Sequence, residues 1–320
     1  MADFHIKHIT RYSYASTVID CTNQVMLYPI NDAHQSVQSH ELTVTNNPPI
    51  ETFTDYFGNK VGMFSIIAPH NVLLIESDIA VSTNPVEFPE TLPLPAEEWA
   101  TLAELRLEYP YLDFMDHEAL IAVDELNAIS ARTIDKQWSP FDNARLLSEY
   151  VYNNFEYKKG VTSVETKVDE ILALKAGVCQ DFAHLLLVLL HCNGIPARYV
   201  SGYICPDKEE LRGAGATHAW VEAYTPGYGW TGLDPTNNCV ASDRHVKLAI
   251  GRNFSDCTPV KGTYKGSSEH TLEVSVQINS GTLASAQDTT ALESYGYTTQ
   301  NPAITGNSYR HFLEMQQQQQ

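Results

Sequence analysis

The 320-residue chain is poor in basic side chains, long apolar runs and paired cysteines, and each shortage excludes a class of function. Twenty Lys and Arg stand against 39 Asp and Glu, a net charge of −19. So negative a surface repels phosphate backbones and anionic lipid, which argues against nucleic-acid and membrane partners. The most apolar run, Phe182 to Leu190, is nine residues and contains His184. A bilayer-crossing helix needs about 20. The N-terminal stretch MADFHIKHITRYSY has no apolar core of the signal-peptide kind, so a cytoplasmic location is expected. The six cysteines (Cys21, Cys179, Cys192, Cys205, Cys239, Cys257) show no C-x-x-C pair, and free thiols in a reducing compartment are expected. P-loop, dinucleotide-binding and EF-hand patterns are also missing.

What is present is a globular composition, 43% hydrophobic and 18% charged, on a length that suggests about two domains. Residues 1–83 read as β: Glu41 to Thr45 and Val72 to Thr83 carry runs of Val, Ile and Thr. Thr52 to Phe57 and Val61 to Ile67 flank a Gly58-Asn59 turn, the pattern of a hairpin. One small sheet must cover a face, which predicts a β-sandwich-like N-terminal domain. Residues 84–96, with four prolines, read as a linker. Helices are expected over Ala96 to Glu108 and Asp116 to Ser130, their many acids forming solvated faces. Ser139-Pro140-Phe141-Asp142 is a helix start: a cap hydroxyl, a proline where no N–H is needed, and an early acid. A short helix over Glu170 to Lys175 should stop at Gly177. Gln180 to Cys192, apolar nearly all round, predicts a buried helix closed by Asn193-Gly194. Strands follow over Ala197 to Ile204, His218 to Tyr224, Gly229 to Leu233 and His270 to Ile278. The region 97–280 is therefore α+β, helices before sheet, and 281–320 is a polar tail ending in five glutamines.

Chemistry concentrates in Ala176-Gly177-Val178-Cys179-Gln180-Asp181-Phe182. Here a cysteine opens the buried helix, where free N–H groups and the helix dipole stabilise a thiolate. Such placement lowers a thiol from about 8.5 to roughly 3.5–7.5, and the same amides suit an oxyanion. Thr217-His218-Ala219-Trp220 puts a histidine at a strand start, and Gly232-Leu233-Asp234-Pro235 puts an acid at a strand end. A hairpin joining those strands would set His218 beside Asp234, completing a nucleophile, base and orienter. His184 lies about 140° round the helix from Cys179, and His191 about 18 Å along it. Neither reaches the sulfur, and zinc held by Cys179, His184, His191 and Cys192 is disfavoured by the same geometry. Tyr157, Gln180, Asp181 and Trp220 are candidates for oxyanion or substrate contacts. Asp181 is as readily a hydrogen-bond anchor for a neighbouring loop.

These motifs resemble a known family. Gly177-Val178-Cys179-Gln180-Asp181-Phe182-Ala183-His184 and Gly194-Ile195-Pro196-Ala197-Arg198-Tyr199-Val200-Ser201-Gly202-Tyr203 look like the core of the bacterial transglutaminase-like family. His218-Ala219-Trp220-Val221-Glu222 and Gly232-Leu233-Asp234-Pro235-Thr236-Asn237 resemble its second and third motifs. The block from Asp243-Arg244-His245-Val246 to Gly262 is similar to the segment after its acid. Asp55-Tyr56-Phe57-Gly58-Asn59 and Ala68-Pro69-His70 look like its companion N-terminal β region. The resemblance spans roughly residues 4 to 280. It implies a papain-like transglutaminase fold with Cys179, His218 and Asp234 as the triad. It also implies acyl transfer through a thioester to water or an amine, with no metal or other cofactor. Cys239, Cys257 and the tail after Ser280 depart from the pattern. The expected enzyme acts on a peptide or protein substrate, hydrolysis preferred over cross-linking. A non-catalytic peptide- or protein-binding module is the alternative, and redox sensing would require Cys205 or Cys239 close to Cys179.

Overall fold

A computed structural model describes residues 1–205, 211–212, 217–266 and 270–281, with the backbone of Tyr295–Tyr297. The polar tail otherwise lies outside the described residues. No described helix is long and apolar enough to cross a membrane.

The N-terminal module is built on one long strand, β1 (Ala2–Val25), which serves two sheets. Its even positions from Phe4 to Tyr14 are buried, the period of two that a sheet imposes. The buried set includes His8 and Thr10; the His8 ring bridges the Tyr203 hydroxyl at 2.8 Å and the Thr10 hydroxyl at 3.0 Å. The first half of β1 pairs with β5 (His70–Thr83), which pairs in turn with β2 (Gln35–Val44). The second half pairs with β4 (Lys60–Ile66), which forms the expected hairpin with β3 (Glu51–Thr54). The hairpin turn is tied by the Asp55 carboxylate, which accepts the Phe57 and Asn59 N–H groups at 2.9 and 2.8 Å. Gly58 supplies the positive φ of 88° that the turn requires.

The acidic stretch is less helical than expected. Helix α1 (Pro95–Leu105) begins as predicted, but α2 runs over Val123–Thr133 rather than from Asp116. Its start is fixed from afar: Asp169 accepts the Ile121 N–H at 3.0 Å and the Ala122 N–H at 2.8 Å. Helix α3 (Pro140–Asn154) has the predicted cap, with Ser139 Oγ accepting the Asp142 N–H at 3.0 Å. Two-residue strands β6 (Glu156–Tyr157) and β7 (Ala176–Gly177) pair in parallel, and between them lies α4 (Val168–Leu174). Lys175, in the left-handed region at φ 54°, ends α4 before Gly177 is reached.

Helix α5 (Cys179–Cys192) is buried over nearly its whole length and lies on an antiparallel sheet. The sheet order is β11 (Cys239–Val240), β10 (Gly229–Asp234), β9 (His218–Thr225), β8 (Ala197–Ile204) and β12 (His245–Gly251). Ala219, Val221 and Ala223 of β9 join the core beneath α5. His218, Trp220 and Glu222 take the alternate positions.

The chain then returns to the first module: β13 (Val260–Lys265) and β14 (His270–Ser280) both pair with β1. Residues 260–280, contiguous in sequence with the α5 sheet, thus complete the N-terminal one. The two halves share a core in which Tyr203, Val246 and Leu248 pack with Ile6, Leu73 and Ile79. Two side-chain amides clamp β12. Gln35 donates to Lys247 O at 3.0 Å and accepts its N–H at 2.7 Å; Asn59 does the same to Ile250 at 2.7 and 2.8 Å.

Candidate active site

Gly177 and Val178 are extended, and the helix starts abruptly at Cys179. The device that turns the chain is Asp181, whose carboxylate folds back to accept the Val178 N–H at 2.8 Å and the Thr162 hydroxyl at 2.6 Å. A Cβ on residue 177 would lie 2.6 Å from Asp181 Oδ2, so glycine is what lets the carboxylate close. Burial raises the Asp181 carboxyl to about 6, against the opposing pull of those two donors. Asp181 is therefore the anchor of the Thr162 loop, as one sequence reading had it.

Across the helix mouth the β9–β10 hairpin brings His218 to Asp234, Nε2 to Oδ2 at 2.8 Å. The sequence could place these two only by assuming that hairpin. Cys179, His218 and Asp234 are each 0% exposed. Burial alone would strip the proton from His218. The Asp234 charge and hydrogen bond outweigh it, the Cys179 sulfur adds to them, and the imidazole rises to about 10. The Cys179 sulfur acts on the ring electrostatically, while His218 Nδ1 is buried without a hydrogen-bond partner in this arrangement. Nε2 is committed to Asp234, so Nδ1 is the nitrogen left for the sulfur. The same partners hold the Asp234 carboxyl far below the usual range: burial would raise it, but His218 and then His245 prevail.

Two further residues on Asp234 were quoted in the sequence motifs without a role. Asn237 donates from Nδ2 to Oδ2 at 2.8 Å, and His245 Nε2 lies 3.3 Å from the same oxygen. Oδ1 accepts the backbone N–H groups of Thr236 and Asn237 at 2.9 and 3.2 Å. His218, Asp234 and His245 are the one trio among the described residues whose ligand atoms, all within 4.8 Å of one another, could surround a metal ion. Both rings converge on one carboxylate oxygen, the arrangement of a hydrogen-bond network.

Of the remaining candidates, Trp220 lies under the triad, stacked on His218 at 6.2 Å and edge-on to His245 at 5.1 Å. Space for its indole comes from Gly202 and Gly232, where a Cβ would fall 2.6 and 3.3 Å from it. Trp220 thus shapes the floor. Gln180 is buried at 1% exposure beside Cys179, with no partner for Oε1. Tyr157 pairs through its backbone with Gly177, two residues from the sulfur, and its ring meets Phe182 at 6.2 Å. His184 accepts the Phe254 N–H at 3.1 Å and His191 donates to Ala197 O at 3.0 Å. Burial lowers each to about 4, and both are structural. They line a cavity of about 300 Å³ that contains no member of the triad. A groove of about 410 Å³ between α3 and the β10–β11 turn, lined by Arg145, Glu149, Leu233 and Asn238, runs beside the acid.

Comparison with known proteins agrees with this architecture. Residues 127–235 match the transglutaminase-like superfamily, and residues 4–82 match the bacterial transglutaminase-like N-terminal region. An uncharacterised protein of Mycobacterium tuberculosis is 34% identical over 292 residues, covering 86% of this chain and 92% of its own length. One from Mycobacterium leprae is 30% identical over 276 residues, covering 85% and 97%. A protein-glutamine gamma-glutamyltransferase of Pseudomonas aeruginosa is 34% identical over 103 residues, 29% of this chain and 15% of that protein. The crystal structure of a candidate cysteine protease from Cytophaga hutchinsonii has the same fold, with a TM-score of 0.64 at 22% identity over 96% of this chain and 94% of that one. The chain belongs to the bacterial transglutaminase-like family.

Proposed function

We propose that this protein is a cysteine-dependent enzyme that cleaves or transfers an amide acyl group of a peptide-like substrate, with water the preferred acceptor. The observation that carries this reading is the buried His218, held by Asp234 through Nε2, with an unpartnered Nδ1 left for the Cys179 sulfur that acts on the ring from the helix N-terminus.

The chemistry follows from that placement. With the Cys179 proton already resting on His218, the sulfur anion attacks the amide carbonyl carbon. As the C–S bond forms, the carbonyl electron pair moves to oxygen, which the N–H groups of the first turn of α5 would stabilise. Collapse breaks the C–N bond, the amine leaves with the proton from His218, and a thioester remains. Water then gives a proton to His218 while its oxygen attacks the thioester; the C–S bond breaks, the acid departs and the sulfur anion beside protonated His218 is restored. A positioned proton carrier contributes about 10²–10⁴-fold and an oxyanion donor about 10²–10³-fold. In transfer an amine takes the place of water, and a transferase must shield its thioester from water. Because the triad is sealed from solvent, substrate entry requires the surface over Cys179 to open.

The test is incubation with peptides rich in glutamine, together with a fluorescent primary amine, followed by mass spectrometry. New peptide termini or Gln-to-Glu conversion, absent with Cys179→Ala, are the expected outcome. Amine adducts in excess of hydrolysis would assign transfer instead. Peptides bound but unchanged would favour the binding-module alternative.

A further inference from the structure

We propose that His245 is a positioning residue of the same site: a second imidazole that fixes the Asp234 carboxylate so that Asp234 can fix His218. This rests on the triad reading and deepens it. His245 opens β12, a strand that carries none of the triad. Its Nδ1 receives the Ser242 N–H at 3.4 Å, which leaves the ring proton on Nε2, the nitrogen that lies 3.3 Å from Asp234 Oδ2. Asp234 thereby collects five donors: His218, His245 and the Asn237 side chain on Oδ2, with the Thr236 and Asn237 amides on Oδ1.

The geometry explains why an imidazole is wanted there. During turnover His218 gains and loses a proton, so the charge facing Asp234 alternates, while the carboxylate has to stay ionised and still. Donors that do not take part in the proton transfer hold it through both states. Four of the five come from the hairpin or the turn after it; His245 alone comes from the far edge of the sheet, and so prevents the hairpin from carrying the carboxylate away. It also closes Asp234 from behind. A hollow of about 40 Å³, lined by Trp220, Gly232, Ser242 and His245, lies on that side, with room for a water. The His245 side chain is 6% exposed, whereas those of Asp234 and His218 are 0%. Without the ring, water would compete with His218 for Oδ2.

The test uses two variants of the full chain. His245→Asn can still meet the Ser242 N–H but is too short to reach Asp234; His245→Gln reaches it with an amide N–H. Two quantities are read: the alkylation rate of Cys179 by iodoacetamide, and the ¹⁵N signals of His218, which report which ring nitrogen carries the proton. In His245→Asn the rate falls about tenfold, the order expected for losing one hydrogen bond to a charged group. The single Nε2–H form of unprotonated His218, sampled at high pH, becomes a mixture. His245→Gln restores both. A wild-type rate and a single form in His245→Asn would overturn the proposal, as would a His245→Gln as slow as His245→Asn, because packing alone would then be at work. His218→Ala is the control for the triad itself: if it leaves Cys179 reactivity unchanged, the parent reading fails separately.

Discussion

The His218 imidazole is raised to about 10 although wholly buried, because the Asp234 charge and hydrogen bond outweigh the desolvation that would lower it. Removing that charge while keeping its shape is the cleanest perturbation. In Asp234→Asn the imidazole loses its counter-charge and burial prevails, so the reactivity of Cys179 at pH 7 is expected to fall on the order of 10²–10⁴-fold. The same exchange predicts a change in the pH dependence of stability. A folded-state value raised from 6.5 to about 10 means that the His218 contribution is full below 6.5 and is lost as pH rises to about 10. The melting temperature of the wild type should therefore decline across that interval, and that of Asp234→Asn should decline less. Equal slopes in the two proteins would show that His218 is neutral in the fold. Cys179, His218 and Asp234 were named from the sequence through a helix start, an assumed hairpin and the family resemblance together, none of which was sufficient alone. Asn237 and His245 were quoted in motifs but had no role, since what they do depends on a hydrogen bond to a residue on another strand.

At the scale of single elements, the start of α5 is the part on which the chemistry depends. Asp181 reaches back from the third position of the helix to Val178 and sideways to Thr162, and Gly177 leaves room for it. Asp181→Ala should lower stability by about 1–2 kcal/mol, measured by urea unfolding. It should also slow Cys179 alkylation, because the sulfur is no longer held against His218. An unchanged unfolding midpoint would contradict the anchoring role. Elements with uniform local signals were readable from the sequence: α3 by its cap, α5 by its apolar surround, and the β3–β4 hairpin by its Gly58-Asn59 turn, whereas the β9–β10 hairpin had to be assumed from two separate strands. Those set by distant partners were not. The core-facing row of β1 includes His8 and Thr10, which break the apolar alternation and are acceptable because the His8 ring bonds both the Thr10 hydroxyl and that of Tyr203. The start of α2 is set by Asp169, some 47 positions away.

Across the whole molecule, the N-terminal module and the α5 sheet are joined by an ionic chain around the buried Glu222 as well as by apolar packing. Glu222 on β9 receives Arg198 at 2.6 Å and Lys247 at 2.9 Å, and Lys247 also pairs with Asp32 of the first module. Burial would raise the Glu222 carboxyl, but Arg198 and Lys247 bring it down to about 2. Its contribution is therefore present above 4.5 and is lost as pH falls toward 2. Glu222→Ala leaves Arg198 without its carboxylate and Lys247 with Asp32 alone, and should cost about 3 kcal/mol near pH 7, with the gap from wild type narrowing below pH 4.5; a gap constant with pH would rule out the charged pairing. The most direct measurement also concerns the whole chain: alkylation of all six cysteines by iodoacetamide, followed by peptide mapping over a range of pH. Burial raises the thiols of Cys21, Cys205 and Cys257, and neighbouring protein that partly desolvates the exposed Cys192 and Cys239 raises theirs as well, Cys239 to about 12, so the protein carries its own reference set. The account predicts that at pH 6.5 Cys179 reacts ahead of the exposed Cys192 and Cys239 despite its burial, and that His218→Ala abolishes the lead. A Cys179 that labels no faster than those two, or as fast without His218 as with it, would contradict the account.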